Sequence, residues 1–249
     1  MLVTPIHTDA IRANDISLLD LIDRVIAEVA EGSVLVVTSK IVSLCEGSVV
    51  PADAHDKEDL IAKHSAYYLP SEFSQYNHHF TIVNNTLVGG AGIDESNGDG
   101  QYVLWPANAQ ATANQVRAHL AERFGLQRFG VIVSDSTSQP FRLGASGIAL
   151  AHSGFAALHD YIGQQDIFHR PFKTERANIS GGLAAAAVVA MGEGDEQTPL
   201  CMLSDLPFVT FQDHDPTEAE LEATRVTLQN DLFAPFFEPA PWLRGKLQS

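Results

Sequence analysis

Two stretches of the chain carry residue types suited to holding phosphate and a hard cation. The first is Gly89-Gly90-Ala91-Gly92-Ile93-Asp94-Glu95-Ser96-Asn97. Its glycines carry no Cβ, so the backbone can bend tightly and approach a ligand closely. Two acids and an asparagine stand directly on that bend. The second stretch is Val131-Ile132-Val133-Ser134-Asp135-Ser136-Thr137-Ser138-Gln139-Pro140-Phe141-Arg142, a β-branched run ending in an acid, hydroxyls and an arginine. Carboxylates at strand ends or on glycine bends are suited to Mg²⁺ or Mn²⁺ shared with phosphate oxygens. A third acid, Glu193, follows the Ala-rich stretch 183–191 within Met191-Gly192-Glu193-Gly194. Lys40, just past the apolar run 34–38, and Arg142 are cations able to clamp phosphate or carboxylate oxygens. Taken singly, Asp94 and Asp135 also read as caps on polar turns.

Charge narrows the partners. The 31 acids and 15 bases give a net charge of −16, which argues against nucleic acid and against an anionic membrane surface. An anionic substrate then needs local cations or metals to invert the field at its site. There is no G-x-x-x-x-G-K-[ST], no G-x-S-x-G, no C-x-x-C and no H-E-x-x-H. The segment Met1-Leu2-Val3-Thr4-Pro5 lacks the basic start of a signal peptide, and the run 183–191 is too short to span a bilayer. A cytoplasmic protein with Cys45 and Cys201 reduced is expected.

The elements that must position these residues follow from periodicity. A helix is expected over 15–31, capped by Asp15 or Ser17 and stopped by Gly32, with a buried strand at 34–38. A second helix is expected at 57–69, a strand at 80–83 and a helix from about 108 to 124 closed by Gly125. A strand at 131–133 then leads into the Asp135 loop. Residues 144–172 show no clear period and form the candidate lid, and a further helix starts at Asp215-Pro216. His78 and His79, adjacent ahead of the 80–83 strand, point to opposite faces and read as surface residues. This order predicts an α/β fold with a mixed sheet in one domain, 1–249.

In order and spacing, these pieces resemble the coenzyme F420 γ-glutamyl ligases. The resemblance rests on Val37-Thr38-Ser39-Lys40-Ile41-Val42-Ser43 with Glu46-Gly47, on Ala91-Gly92-Ile93-Asp94-Glu95-Ser96-Asn97, and on Ser134-Asp135-Ser136. Pro140-Phe141-Arg142, Asp160-Tyr161-Ile162-Gly163 with Asp166, and Met191-Gly192-Glu193 complete it over nearly the whole chain. It implies a GTP-dependent ligase with two Mg²⁺ or Mn²⁺ ions, and K⁺ as a further ion. The enzyme would join L-glutamate through its amine to a carboxylate on a deazaflavin coenzyme tail. By the same resemblance, Asp94 and Asp135 hold one metal, Ser136 and Glu193 the second, and Arg142 joins the two aspartates in catalysis. Thr4, Pro5, Ile6, His7, Ser39, Lys40, Asn97, Met191, Gly192, Glu193 and Gly194 contact the nucleotide. The implied fold is an intertwined α/β homodimer.

Several positions depart from the family's pattern, mostly where an acceptor would be read. Leu44 stands where a nucleotide-contacting Lys is usual, Gln139-Pro140-Phe141 in place of Arg-Pro-Trp, Gly181-Gly182 in place of an acidic pair, and Ala107-Asn108-Ala109 in place of Asp-Pro-Asp. A folate or pterin tail, the acceptor of a folate-directed branch of the family, is the rival to the deazaflavin. A metal-dependent nucleotide hydrolase or phosphotransferase is the rival to the ligase.

Overall fold

The computed structural model describes residues 1–247. In chain order the first half holds β1 (Leu2–Ile6), α1 (Leu18–Val25), β2 (Ser33–Thr38), α2 (Ser39–Glu46), β3 (Val49–Pro51), α3 (Lys57–His64), β4 (Tyr67–Leu69), β5 (Phe80–Val83), β6 (Thr86–Gly89), β7 (Gln101–Val103) and α4 (Ala109–Phe124). The second half holds β8 (Phe129–Ser138), β9 (Ala145–Ser153), β10 (Leu158–Asp160), β11 (Arg176–Asn178), α5 (Ile179–Met191), β12 (Leu200–Ser204), α6 (Glu218–Glu222), α7 (Ala234–Phe237) and β13 (Leu243–Arg244).

A mixed five-stranded sheet in the order β1-β12-β2-β8-β9 forms the centre. Only β2 and β8 run parallel within it, Ser33 to Thr38 pairing with Phe129 to Ser134. Side chains alternate across its plane, as strand geometry requires. On one face Leu35, Val37, Val131 and Val133 pack with Leu21 and Ile22 of α1, Ile41 and Val42 of α2, and Val116 and Leu120 of α4. On the other, Val34, Val36, Ile132 and Leu203 meet Leu183, Ala184, Ala187 and Val188 of α5. Helices thus cover both faces, which explains why β2 is an unbroken apolar run rather than an alternating one. A smaller antiparallel sheet, β13-β4-β5-β6, has its own core of Leu60, Ile61, Val83, Val88, Ala91 and Ile93.

Several expectations hold and several need correction. Ser17 and Gly125 cap as read: the Ser17 side chain accepts from Asp20 N–H, and Gly125 takes the left-handed conformation; the structure adds Asn108, whose side chain accepts from Ala111 N–H, at the start of α4. Helix α1 is shorter than 15–31, because Ile26 is already extended and the chain must turn back toward β2. Residues 39–46 form a helix, started by the Thr38 hydroxyl and closed by left-handed Gly47. The second helix ends at His64, and 67–69 belong to β4. Residues 145–153 are not an irregular lid but strand β9, paired along β8. Asp135 likewise lies within β8 rather than in a loop after it. His79 is mostly covered, its ring held near Leu69 O at 3.2 Å and Glu58 at 3.5 Å. Cys45 and Cys201 are free thiols packed on opposite faces of the large sheet, and burial pushes each up to about 11. Among the described residues no helix is long and apolar enough to cross a membrane.

Candidate active site

The parallel pair β2 and β8 places two functional segments side by side. Where β2 ends, Thr38 caps α2 and delivers Ser39 and Lys40; where β8 passes its partner, Asp135 and Ser136 follow Ser134. A cleft of about 470 Å³ opens there, lined by Lys40, Asp94, Asp135, Ser136 and Glu193 among others. Residues separated by about a hundred positions in sequence meet because adjacent parallel strands deliver their carboxyl ends to one edge.

Asp94 is tightly held. Its Oδ2 lies 2.6 Å from Lys40 Nζ, and its Oδ1 accepts from the Ser96 N–H at 2.8 Å and the Ser96 hydroxyl at 2.9 Å. Lys40 also donates to the Ser96 carbonyl and hydroxyl, both at 3.1 Å. Loss of water around Asp94 raises its pKa, but Lys40 and Ser96 outweigh that and hold the carboxyl below the usual carboxylate range. Asp135 shifts the other way. Desolvation, with the Asp94 charge adding to it, pushes Asp135 up to about 6 against hydrogen bonds from the Trp105 indole and the Ser136 N–H.

Asp135 and Ser136 serve opposite faces of β8. The unpaired residue in the β8–β9 ladder is Leu150, since Val133 pairs with Ala151 and Ser134 with Ala149. Strand β8 therefore keeps its alternation, and Asp135 continues the row of Val131 and Val133 toward α2. Ser136 points the other way, where its hydroxyl donates to Glu193 Oε2 at 3.1 Å, just beyond the end of α5. One strand end thus presents an acid on one face and a hydroxyl–acid pair on the other.

The third wall is the 192–197 turn. Asn97 Nδ2 donates to Gly194 O at 2.9 Å, joining this turn to the glycine-rich stretch. The Glu196 side chain accepts from Gly194 N–H at 2.8 Å, and Gln197 O accepts from Thr8 N–H at 2.8 Å.

The donor set suits hard divalent cations. Among the described residues no three acidic, histidine or cysteine side chains converge on one point. A cation beside Asp94 and Asp135, or beside Ser136 and Glu193, would complete its shell from water, backbone or phosphate oxygens, as Mg²⁺ does. Two carboxylates sharing one lysine also leave negative charge for such an ion to balance.

Of the residues singled out from sequence, Ser39, Lys40, Asp94, Asn97, Asp135, Ser136, Met191, Gly192, Glu193 and Gly194 all line the cleft. Others lie elsewhere. Thr4, Pro5 and Ile6 sit in edge strand β1, paired with Met202, Cys201 and Leu200, and His7 follows it. The lining begins one residue later and runs from Thr8 to Arg12. Arg142 is at the β8–β9 hairpin tip, donating to Phe141 O at 2.9 Å, outside the cleft. Sequence reading missed Arg12, whose guanidinium bonds Asp99 at 2.8 Å across the mouth, and Trp105, which donates to Asp135. Neither belongs to a motif; the Trp105-Pro106 pair after β7 was the one available mark.

The model of the F420-0:Gamma-glutamyl ligase family matches residues 5–205 of this chain. The chain belongs to that family. This ligase is similar to the coenzyme F420:L-glutamate ligase of Methanocaldococcus jannaschii, 31% identical over 202 residues that take in 72% of this chain and 79% of the relative. The protein of the same name from Methanothermobacter thermautotrophicus is 31% identical over 198 residues, covering 73% and 78% of the two chains. That of Haloarcula marismortui is 38% identical over 119 residues, covering 47% and 46%. The match takes in the whole cleft, since its lining runs from Thr8 to Pro199.

Proposed function

We propose that this ligase joins L-glutamate to the terminal carboxylate of coenzyme F420-0, using a nucleoside triphosphate, GTP by resemblance, and two divalent cations. The observation that carries the reading is the meeting of Lys40, Asp94, Asp135, Ser136 and Glu193 around one cleft. Asp94 and Asp135 would hold one ion, Ser136 and Glu193 the other. When bound, these ions supply charge neutralisation to the transferring phosphoryl group.

A carboxylate does not react with an amine at neutral pH, so it must first be activated. The acceptor carboxylate oxygen attacks the γ-phosphorus, the bond to the β-phosphate oxygen breaks, and the nucleoside diphosphate leaves. The free amine of glutamate then attacks the acyl phosphate carbon. Phosphate departs, and the amine loses a proton as the amide forms. In this sequence Lys40 orients nucleotide phosphate, and Asn97 with the Gly192–Gly194 turn closes the nucleotide side.

An intertwined homodimer is part of the same reading. Phe141 and Leu143, flanking Arg142, are fully exposed, and Val189 of α5 is largely so. Such apolar exposure at a hairpin tip is expected where another surface covers it. A second copy seated there would also give Arg142 a site to serve. Analytical ultracentrifugation tests this, with a monomer at micromolar concentration counting against it.

Mass spectrometry of F420-0 incubated with the ligase, GTP, Mn²⁺ and L-glutamate tests the activity. Addition of one glutamate residue with stoichiometric phosphate release supports the reading. Phosphate release that ignores both glutamate and acceptor would make the protein a nucleotide hydrolase. Faster extension of a folate-type acceptor in competition would assign the pterin branch.

A further inference from the structure

We infer that Trp105 is a positioning residue for the phosphoryl-transfer site, its indole N–H fixing which oxygen of Asp135 is turned toward the cleft. The inference rests on the proposed role of Asp135 as a ligand. Trp105 does not line the cleft; it reaches Asp135 from behind, Nε1 donating to Oδ2. The indole also packs closely against Gly92, in the turn that carries Asp94. A Cβ at Gly92, where φ is +69°, would fall 2.2 Å from Trp105 Nε1 and 2.3 Å from Cε2. Glycine at 92 is therefore required twice, by its left-handed backbone and by the ring beside it.

The backbone that carries the indole is tied to Asp94 as well. Asp94 N–H donates to Val103 O at 3.0 Å, and Val103 N–H donates to Asp94 O at 2.7 Å. Leu104 N–H donates to Ser48 O at 3.0 Å, which fixes the segment on its other side. The indole thus spans two segments that are remote in sequence, the 92–94 turn and the end of β8, and sets the angle between their carboxylates. A ring that merely filled space would serve equally well without its N–H. A ring whose N–H chooses the carboxylate oxygen would not.

The test uses the full chain with Trp242→Phe, so that Trp105 alone emits; the two are the only tryptophans in the sequence. Mn²⁺ alone should quench Trp105 emission to saturation, and Asp135→Asn should shift the metal-free emission and remove the quench. Trp105→Phe, which keeps the ring and deletes the N–H, should weaken Mn²⁺ binding by calorimetry about 10–100-fold, the usual effect of losing a ligand's outer partner. It should lower kcat while leaving the KM for glutamate in place. Equal Mn²⁺ affinity in Trp105→Phe and the unaltered chain would overturn the inference while leaving Asp135 a ligand. Emission indifferent to both Mn²⁺ and Asp135→Asn would overturn it without any change to Trp105. No Mn²⁺ binding by the unaltered chain would overturn the inference together with the metal reading beneath it.

Discussion

Lys40 and Arg142 are both cations in the matched motifs, and the chain treats them in opposite ways. Lys40 sits on the first turn of a capped helix and is held by Asp94 and Ser96 at 2.6 to 3.1 Å. Arg142 stands on a hairpin tip between two fully exposed apolar side chains and donates to the carbonyl of its neighbour Phe141. The Lys40 end of the cleft is pre-organised within one chain, so a phosphate bound there as proposed would meet little ordering cost. The Arg142 end has no such support from its own cleft. On the proposed reading, the phosphate-holding groups are built into rigid elements, while Arg142 sits on a projecting arm.

The largest effect is expected at Asp135, beside Lys40 in the cleft. Replacing Asp135 with Asn keeps the shape and removes the charge, and should lower kcat on the order of a thousandfold or more. Single-turnover rates at saturating Mn²⁺ check this, and near-normal turnover would remove Asp135 from the site. Lys40→Ala should raise the KM for nucleotide about 10–100-fold, the scale of a charged hydrogen bond, with little change for glutamate. If the acceptor KM alone rises, Lys40 belongs to a different pocket. Arg142→Ala should cost about tenfold in kcat and leave nucleotide binding by calorimetry unchanged. An equal loss of nucleotide affinity would mean that the two cations share one task. The smallest effect is expected at Gly182, on the first turn of α5. A Cβ there meets nothing within 4 Å, so Gly182→Glu should fit. Removing a helical glycine and adding an acid near the helix start should stabilise the chain by roughly 0.5–1 kcal/mol. A lower melting temperature would show that the space is needed.

What the sequence made legible follows from how local each signal is. Ser17 and Gly125 marked helix ends because capping is decided within a few residues. The Asp94 and Asp135 stretches were readable because their residue types alone narrow the chemistry. Helix α2 was not read as a helix, since Ser39-Lys40-Ile41-Val42-Ser43 has weak helical propensity and its Thr38 cap is also the end of a strand. Strand β9 looked irregular because Leu150 breaks its pairing and its residues 149–152 include Ala and His rather than a plain alternation. The N-terminal residues that line the cleft, starting at Thr8, could not be read from sequence because the pairing of β1 with β12, about two hundred residues away, decides which residues are sheet edge and which reach the cleft. Trp105 was invisible for the same reason: its partner is thirty positions along the chain and on another element.

The unpaired residue in the β8–β9 ladder belongs to β9, and this makes β8 the reading frame of the active site. From Phe129 to Ser136 the strand counts in twos without interruption, so the parity of a position decides which face its side chain serves. Substitutions along it would be felt one at a time. Gaining a single residue ahead of Asp135 would instead shift Asp135 and Ser136 to opposite faces, presenting the Ser134 hydroxyl to Asp94 and a carboxylate to Glu193. Lineages of this enzyme should therefore tolerate like-for-like apolar exchanges in β8 more readily than any change in its length, with slippage absorbed on the strand beside it.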